Sequence, residues 1–564
     1  MNETSGALGI VTEENVSISM RDGVILRANI FRPDAEGRFA ALVHRTPYGK
    51  FTSGVEEFVR AGYVVVSQDT RGRYASDGEY TLFTQEDTGD AEDGYDTVEW
   101  AAAQAWCNGK VGTFGNSYAA WMQYQLAKLR PPHLLAMSAV SIPTELTEVD
   151  WPGAFKVARR LHWWFTSIAP DLRRRKGLAP PHTPSEAVGI WNELEQGRMI
   201  GLLPWNRVVR YLPSPLAEQV CDWLENPGRR VWKFAEAHKT IEVPNLDVTG
   251  YYDHCCGINQ LTGMQQNAAS ERARTQTRVV IGPWNHRNFG QRKLGDFDFG
   301  SNAEVSVRQL QIRWFDCWLK GIDNGTDKEP PVRYFVMGSG TWKSARTWPP
   351  DHLERMEFYL SSSGNAHRAE AQGSLTREMP KGAPSDSYTS DPFDPVPTLW
   401  DREWFYAVSD RRRLYYRQDI LRYSTEPLDE DMEIAGNPEV ALYASSSTPD
   451  TDLFVRLVDD DPSGLAMEVC YGMVRARHRN SLDKEELLTP NRVFEFRIRM
   501  GITACRFKKG HRIRLEICGS DFPNFDRNHQ TGKNDLFDAE MAVATVSIYH
   551  SRQYPSSLVV WVQR

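Results

Sequence analysis

A chain of 564 residues, 41% hydrophobic and with a formal charge of −8, is long enough for roughly three to four domains with cores of their own. Its lysines and arginines are spread out rather than gathered in a basic block interleaved with aromatics, which argues against a nucleic-acid partner. No apolar run approaches a membrane span, and the opening Met1-Asn2-Glu3-Thr4-Ser5-Gly6 lacks the basic and apolar regions of a signal peptide, so a soluble, cytoplasmic protein without a membrane partner is expected.

In chain order, Val16–Met20 and Val24–Phe31 alternate around Arg21-Asp22-Gly23 and predict a β-hairpin. Ala40–His44 reads as a buried strand ending in Arg45-Thr46-Pro47-Tyr48-Gly49, and Tyr63–Ser67 as another ending in Asp69-Thr70-Arg71-Gly72-Arg73. The segment from Asp87 to Trp106 predicts a helix, Lys110–Phe114 a strand, and Trp121–Leu129 a second helix. Between these last two stands Gly115-Asn116-Ser117-Tyr118-Ala119. It is a G-x-S-x-A variant of the strand–turn–helix elbow that presents a serine hydroxyl above a sheet. Strands alternating with helices, with continuous apolar strands, imply a parallel sheet covered on both faces.

After a further strand at Leu134–Ile142 the character changes. Trp151, Trp163, Trp164, Trp191, Trp205, Trp223 and Trp232 fall in arginine-rich helical patterning that reads as an inserted cap. The sheet resumes at Val243–Thr249, ending in Gly250-Tyr251-Tyr252-Asp253, and at Val279–Ile281, ending in Gly282-Pro283-Trp284-Asn285-His286. Val305–Leu319 predicts an amphipathic helix, Gly321–Pro331 a connector, and from about Val332 to Pro397 a long proline-punctuated passage. Beyond it, short alternating runs at Val440–Tyr443, Leu453–Val458, Met467–Val474, Val493–Arg499, Arg512–Ile517 and Ala544–Tyr549 predict a β-sandwich or jelly roll. The expected organisation is an α/β-hydrolase unit in residues 1–144 and 241–350, a helical cap in 145–240, and a jelly-roll domain in 351–564.

A serine nucleophile needs a base to take its proton and a carboxylate to hold that base in one tautomer. Ser117, Asp253 and His286 follow the Ser, Asp, His order of α/β-hydrolases, each at the C-terminal end of an expected parallel strand. Taken singly, Asp253 reads equally well as a helix cap and His286 as a core histidine beside Trp284. The eight cysteines show neither a C-x-x-C pair nor histidine at ligand spacing, so no metal and no disulfide framework is expected, and the thiols are expected to be reduced and buried.

Together, Arg45-Thr46-Pro47-Tyr48, Asp69-Thr70-Arg71-Gly72 with Ser76-Asp77-Gly78-Glu79, and the three strand-end motifs at Ser117, Asp253 and His286 resemble the CocE/NonD hydrolases, relatives of the X-Pro dipeptidyl-peptidases. The resemblance implies a Ser117/Asp253/His286 triad, an oxyanion hole from the Tyr48 hydroxyl and the Tyr118 N–H, and an acyl pocket lined by Trp151, Trp163 and Cys255. It also implies a cofactor-free serine hydrolase acting on a small-molecule ester, or an amide, through an acyl-enzyme. A homodimer is an open option. In the family's α-amino acid ester hydrolases acidic residues follow the triad aspartate, whereas His254-Cys255-Cys256-Gly257 stands here, which speaks against recognition of a free ammonium group. The alternatives are an X-Pro-type peptidase, amidase or acylase, and a non-catalytic ligand-binding scaffold.

Overall fold

The structure is a computed structural model describing residues 9–83, 87–195, 201–212, 215–226, 232–253, 257–368, 373–382, 385–399 and 407–563. The predicted hairpin is β1 (Ile10–Ser19) and β2 (Ile25–Pro33), paired antiparallel from Ser19↔Ile25 outward. β1 starts earlier than its apolar alternation suggests, because an irregularity between Glu13 and Val16 breaks the period of two. Four strands follow: β3 (Phe39–Thr46), β4 (Tyr63–Asp69), β5 (Cys107–Asn116) and β6 (Leu134–Val140). They complete a sheet of order β1-β2-β4-β3-β5-β6 in which β4, β3, β5 and β6 run parallel. Among the helices that pack on it are α1 (Asp90–Ala102) and α2 (Tyr118–Ala127).

The sheet continues into β7 (Leu246–Gly250) and β8 (Arg278–Gly282) through a single parallel bridge, Met137↔Asn245. The Asn245 side chain completes that seam, its Oδ1 accepting the Ala139 N–H at 2.7 Å. Two strands lie where the sequence suggests an irregular passage: β9 (Val332–Val336), parallel to β8, and β10 (Thr341–Ala345), antiparallel to β9. The last helix of this unit, α4 by its place after the cap helix α3 (Ala158–Trp163), spans Val307–Phe315 and passes into a π-turn at Asp316–Lys320.

Between β6 and β7 the chain forms short helices from Thr147 to His238, α3 among them. Their tryptophans explain the composition: Trp164, Trp191, Trp205, Trp223 and Trp232 are buried in one apolar cluster with Trp121 of α2. Burial of such side chains holds the cap on the hydrolase unit by the hydrophobic effect. A buried Arg73 adds a polar tie, its guanidinium donating to Pro47 O at 2.8 Å and Ile168 O at 2.7 Å.

From Leu353 onward the chain is β-rich, and its described strands pair antiparallel apart from Gly373–Thr376 beside Ile420–Ser424, with one further parallel bridge at Pro397↔Phe522. The six runs read from sequence are all strands here. Strands at Leu353–Ser361, Ile420–Ser424, Met432–Gly436, Thr503–Phe507 and Ser557–Gln563 lacked a clean alternation, and the pairing partners supply the order that the local pattern does not. Of the described cysteines, none forms a disulfide; Cys107, Cys470, Cys505 and Cys518 are buried, while Cys221 and Cys317 are half-buried, less than expected. Among the described residues no helix is long and apolar enough to cross a membrane, and no three His, Cys, Asp or Glu side chains gather as metal ligands.

Candidate active site

Ser117 occupies a backbone conformation few side chains adopt, φ 57° and ψ −119°, between the end of β5 and the start of α2. The motif's small residues have a steric cause. A Cβ on Gly115, whose φ is +140°, would lie 2.6 Å from the Ala119 Cβ and 3.1 Å from His44 Cδ2. Tyr118 opens α2, so its N–H belongs to the first turn, whose N–H groups have no intrahelical carbonyl.

The loops after β7 and β8 are joined by the same logic. A Cβ on Gly250 would lie 1.9 Å from Trp284 O, and one on Gly282 would lie 2.4 Å from the Trp284 ring. The glycines therefore let the two strand ends close over one tryptophan, and Tyr251 N–H donates to Gly282 O at 3.0 Å while Tyr252 N–H donates to Trp284 O at 3.1 Å. The Tyr252 hydroxyl reaches into the β-rich domain, donating to Glu468 O at 2.8 Å. This scaffold brings Asp253 and His286 together: His286 Nδ1 lies 2.9 Å from Asp253 Oδ1, with the Asp253 side chain fully buried and that of His286 9% exposed.

Ser117 and His286 line one cavity of about 300 Å³. Its apolar wall includes Phe83, Ile142, Leu146, Val149, Trp163 and Trp232, and its polar rim includes Arg159, Arg160 and Arg287. Arg160 is held by Asp150 through contacts of 2.6 and 2.8 Å and stacks over Phe83 and Trp163. Tyr48 also lines the cavity. It is 39% exposed, yet loss of hydration at its hydroxyl pushes its pKa up to about 12, opposed by the hydrogen bond from Trp163, so it stays protonated. Trp163 Nε1–H donates to the Tyr48 oxygen at 2.7 Å, which leaves the tyrosine O–H proton available to another acceptor. Lys50 fixes the loop behind Tyr48, its N–H and Nζ bonding Asp69 at 2.7 and 2.6 Å. His44 stands in the same cavity with its Nδ1 3.2 Å from the Ser67 hydroxyl, and burial lowers its pKa to about 3, which keeps it neutral.

The sequence-predicted Ser117, Asp253, His286, Tyr48, Tyr118 and Trp163 thus converge on one place. Trp151 does not join them: it lies edge-on to His478, 5.8 Å between ring centroids, in a separate depression between the cap and the β-rich domain with Lys156 and Arg477. An aromatic residue in a cap carries no local signal of which way it faces. Cys255 lies outside the described residues.

Two residues of this site were not singled out in the sequence. Ser141, at the end of β6, donates its hydroxyl to Asp253 Oδ2, and the same oxygen lies 3.0 Å from His286 Nδ1. Asp247 of β7 accepts the Ser141 N–H at 2.7 Å. Burial raises the Asp247 pKa to about 7, opposed by that N–H and reinforced by the nearby Asp253. In Val140-Ser141-Ile142 the serine reads only as the polar end of an apolar strand, so nothing local could have pointed to it.

Comparison with known proteins agrees with this architecture. Residues 22–288 match the X-Pro dipeptidyl-peptidase (S15 family), and residues 324–559 match the X-Pro dipeptidyl-peptidase C-terminal non-catalytic domain. The chain is 33% identical to the cocaine esterase of Rhodococcus sp. (strain MB1 Bresler), an alignment covering 97% of each chain. Its fold is similar to that of a solved α-amino acid ester hydrolase, with TM-score 0.76 and 24% identity over 100% of this chain and 98% of that one. It is also similar to a CocE/NonD family hydrolase from Staphylococcus aureus, with TM-score 0.67 and 21% identity over 98% and 94% of the two chains. An α/β unit, a β-rich C-terminal domain and end-to-end similarity to an esterase lead to one assignment: the chain is a serine hydrolase belonging to the CocE/NonD, cocaine esterase-like group of the S15 family.

Proposed function

We propose that this enzyme hydrolyses a small-molecule carboxylic ester, with amides as poorer substrates, through an acyl-enzyme on Ser117. Ser117 Oγ attacks the carbonyl carbon while its proton passes to His286 Nε2. Asp253 holds the opposite ring nitrogen and stabilises the imidazolium. The carbonyl oxygen becomes an alkoxide and is met by the Tyr48 O–H and the Tyr118 N–H. His286 then returns the proton to the departing alkoxide, and water repeats the sequence to release the acid. The acyl group rests against the apolar wall that includes Phe83, Ile142, Leu146 and Trp163, with Trp163 also orienting Tyr48. In the same reading the cap comprises residues 145–240, within an α/β unit of 1–144 and 241–350, and the β-rich domain begins at 351.

The observation that carries this reading is the 2.9 Å His286–Asp253 contact beside a strained Ser117 that opens onto the same cavity. The esterase name of the Rhodococcus relative supports an ester over an X-Pro amide. The test compares p-nitrophenyl acetate with alanyl-prolyl-p-nitroanilide. A higher kcat/KM on the ester is expected, together with a loss of about 10⁴-fold or more in kcat in Ser117→Ala at unchanged circular dichroism. Preference for the anilide, or substantial turnover by Ser117→Ala, would overturn it.

A further inference from the structure

We infer that Ser141 is a positioning residue of the hydrolytic site, a buried hydroxyl that locks Asp253 and His286 into their working geometry. This rests on the proposed roles of Ser117, Asp253 and His286. Ser141 is fully buried and sits at φ 56°, a conformation unfavourable for a residue with a Cβ. Strain of this kind persists only where surrounding contacts over-determine it. Those contacts are all directed at the Asp253–His286 pair or its support. The N–H is held by Asp247 at 2.7 Å, the O–H is given to Asp253 Oδ2, and the oxygen stands 3.0 Å from His286 Nδ1.

The chemistry follows from counting protons. A serine hydroxyl has one proton and two lone pairs. With that proton on Asp253 Oδ2, the oxygen presents a lone pair to Nδ1–H, which also faces Asp253 Oδ1 at 2.9 Å. Both neighbours of Nδ1 are then acceptors, so the ring proton is kept on Nδ1 and Nε2 keeps its lone pair for Ser117. The donated bond also spreads the Asp253 charge, which tempers its pull on the imidazolium.

The test uses the full-length enzyme and two variants that both lack the hydroxyl, Ser141→Gly and Ser141→Ala, with His286→Ala as benchmark. Glycine adopts positive φ without strain, so the pair separates hydroxyl chemistry from backbone conformation. Loss of a hydrogen bond to a charged group predicts a fall of roughly tenfold or more in kcat for both, with KM within about twofold. The acid limb of the kcat/KM profile is expected to move in both, because each variant loses at once the donor that shares the Asp253 charge and the acceptor that faces Nδ1–H. Among the described residues, the other charged or titratable groups near the pair are Asp247 behind it, Arg287 beside it, and His44, Tyr48, Tyr118, His162, Arg159, Arg160 and Asp150 around the cavity. All are common to wild type and variants, so the displacement reports the hydroxyl. A Ser141→Gly enzyme with wild-type kcat and pH profile would overturn the inference while His286→Ala stays inactive. If His286→Ala itself kept activity, the underlying assignment would fail instead.

Discussion

Ser117 and Ser141 invite comparison because they stand at the ends of neighbouring parallel strands with nearly the same positive φ, 57° and 56°. The two strand ends are tied together, the Ser117 N–H donating to the carbonyl of Val140, the residue before Ser141, at 3.0 Å. Their surroundings differ. Ser117 opens a helix, is half-buried and faces the cavity; Ser141 is fully enclosed and spends its polar atoms on Asp247, Asp253 and His286. A positive φ thus serves two ends: on the cavity side it exposes a hydroxyl to substrate, and one strand over it accompanies a hydroxyl that fixes the groups that must not move.

If that division holds, changes on the cavity side remove chemistry, and changes behind it alter protonation. The larger effect is expected from Tyr48→Phe, which deletes one alkoxide donor while keeping the ring, whose centroid lies 6.4 Å from that of Tyr118. A loss of about 10²–10³ in kcat, or ~3–4 kcal/mol, with a smaller change in KM, is expected in steady-state ester hydrolysis. Activity within a few-fold of wild type would assign the alkoxide's second donor to another group in the same loop.

A smaller effect belongs to Asp247. Its pKa is raised to about 7 in the folded enzyme, above the value near 3.8 of a free aspartate, so the native state binds the extra proton between these limits. Stability from this group is fully present below the unfolded value and is lost as pH rises through about 7. Asp247→Asn keeps an oxygen for the Ser141 N–H but cannot ionise. Its stability relative to wild type, from urea unfolding at several pH values, is expected to rise with pH by up to about 1.4 kcal/mol per unit and to level off above neutrality. A difference that is flat between pH 5 and 8 would show that Asp247 is not holding this proton.

Ser117 and Ser141 also differ in how legible they are in the sequence. Gly115, Ala119, Gly250 and Gly282 mark places where a larger side chain collides, so the turns at Ser117, Asp253 and His286 leave a local trace. Ser141 has a positive φ without glycine beside it, because its cost is met by contacts to Asp247 and Asp253, more than a hundred residues away in the chain. The fold divides along the same line. The hairpin around Asp22-Gly23 and the strand–helix alternation carry periodicity, whereas β9 and Ser557–Gln563 become strands through partners that no short window contains. The family resemblance alone places Trp151 in the acyl pocket; an aromatic in the cap has a type but no address, and tertiary packing sends it toward His478.

The central claim is that Ser117 is the nucleophile, and covalent capture tests it most directly. The enzyme is treated with a fluorophosphonate, digested and mapped by mass spectrometry, alongside Ser117→Ala. One stoichiometric adduct is expected on the peptide carrying Gly115-Asn116-Ser117-Tyr118, with inactivation tracking labelling and no adduct in Ser117→Ala. An adduct on another serine, or equal labelling of Ser117→Ala, would contradict it.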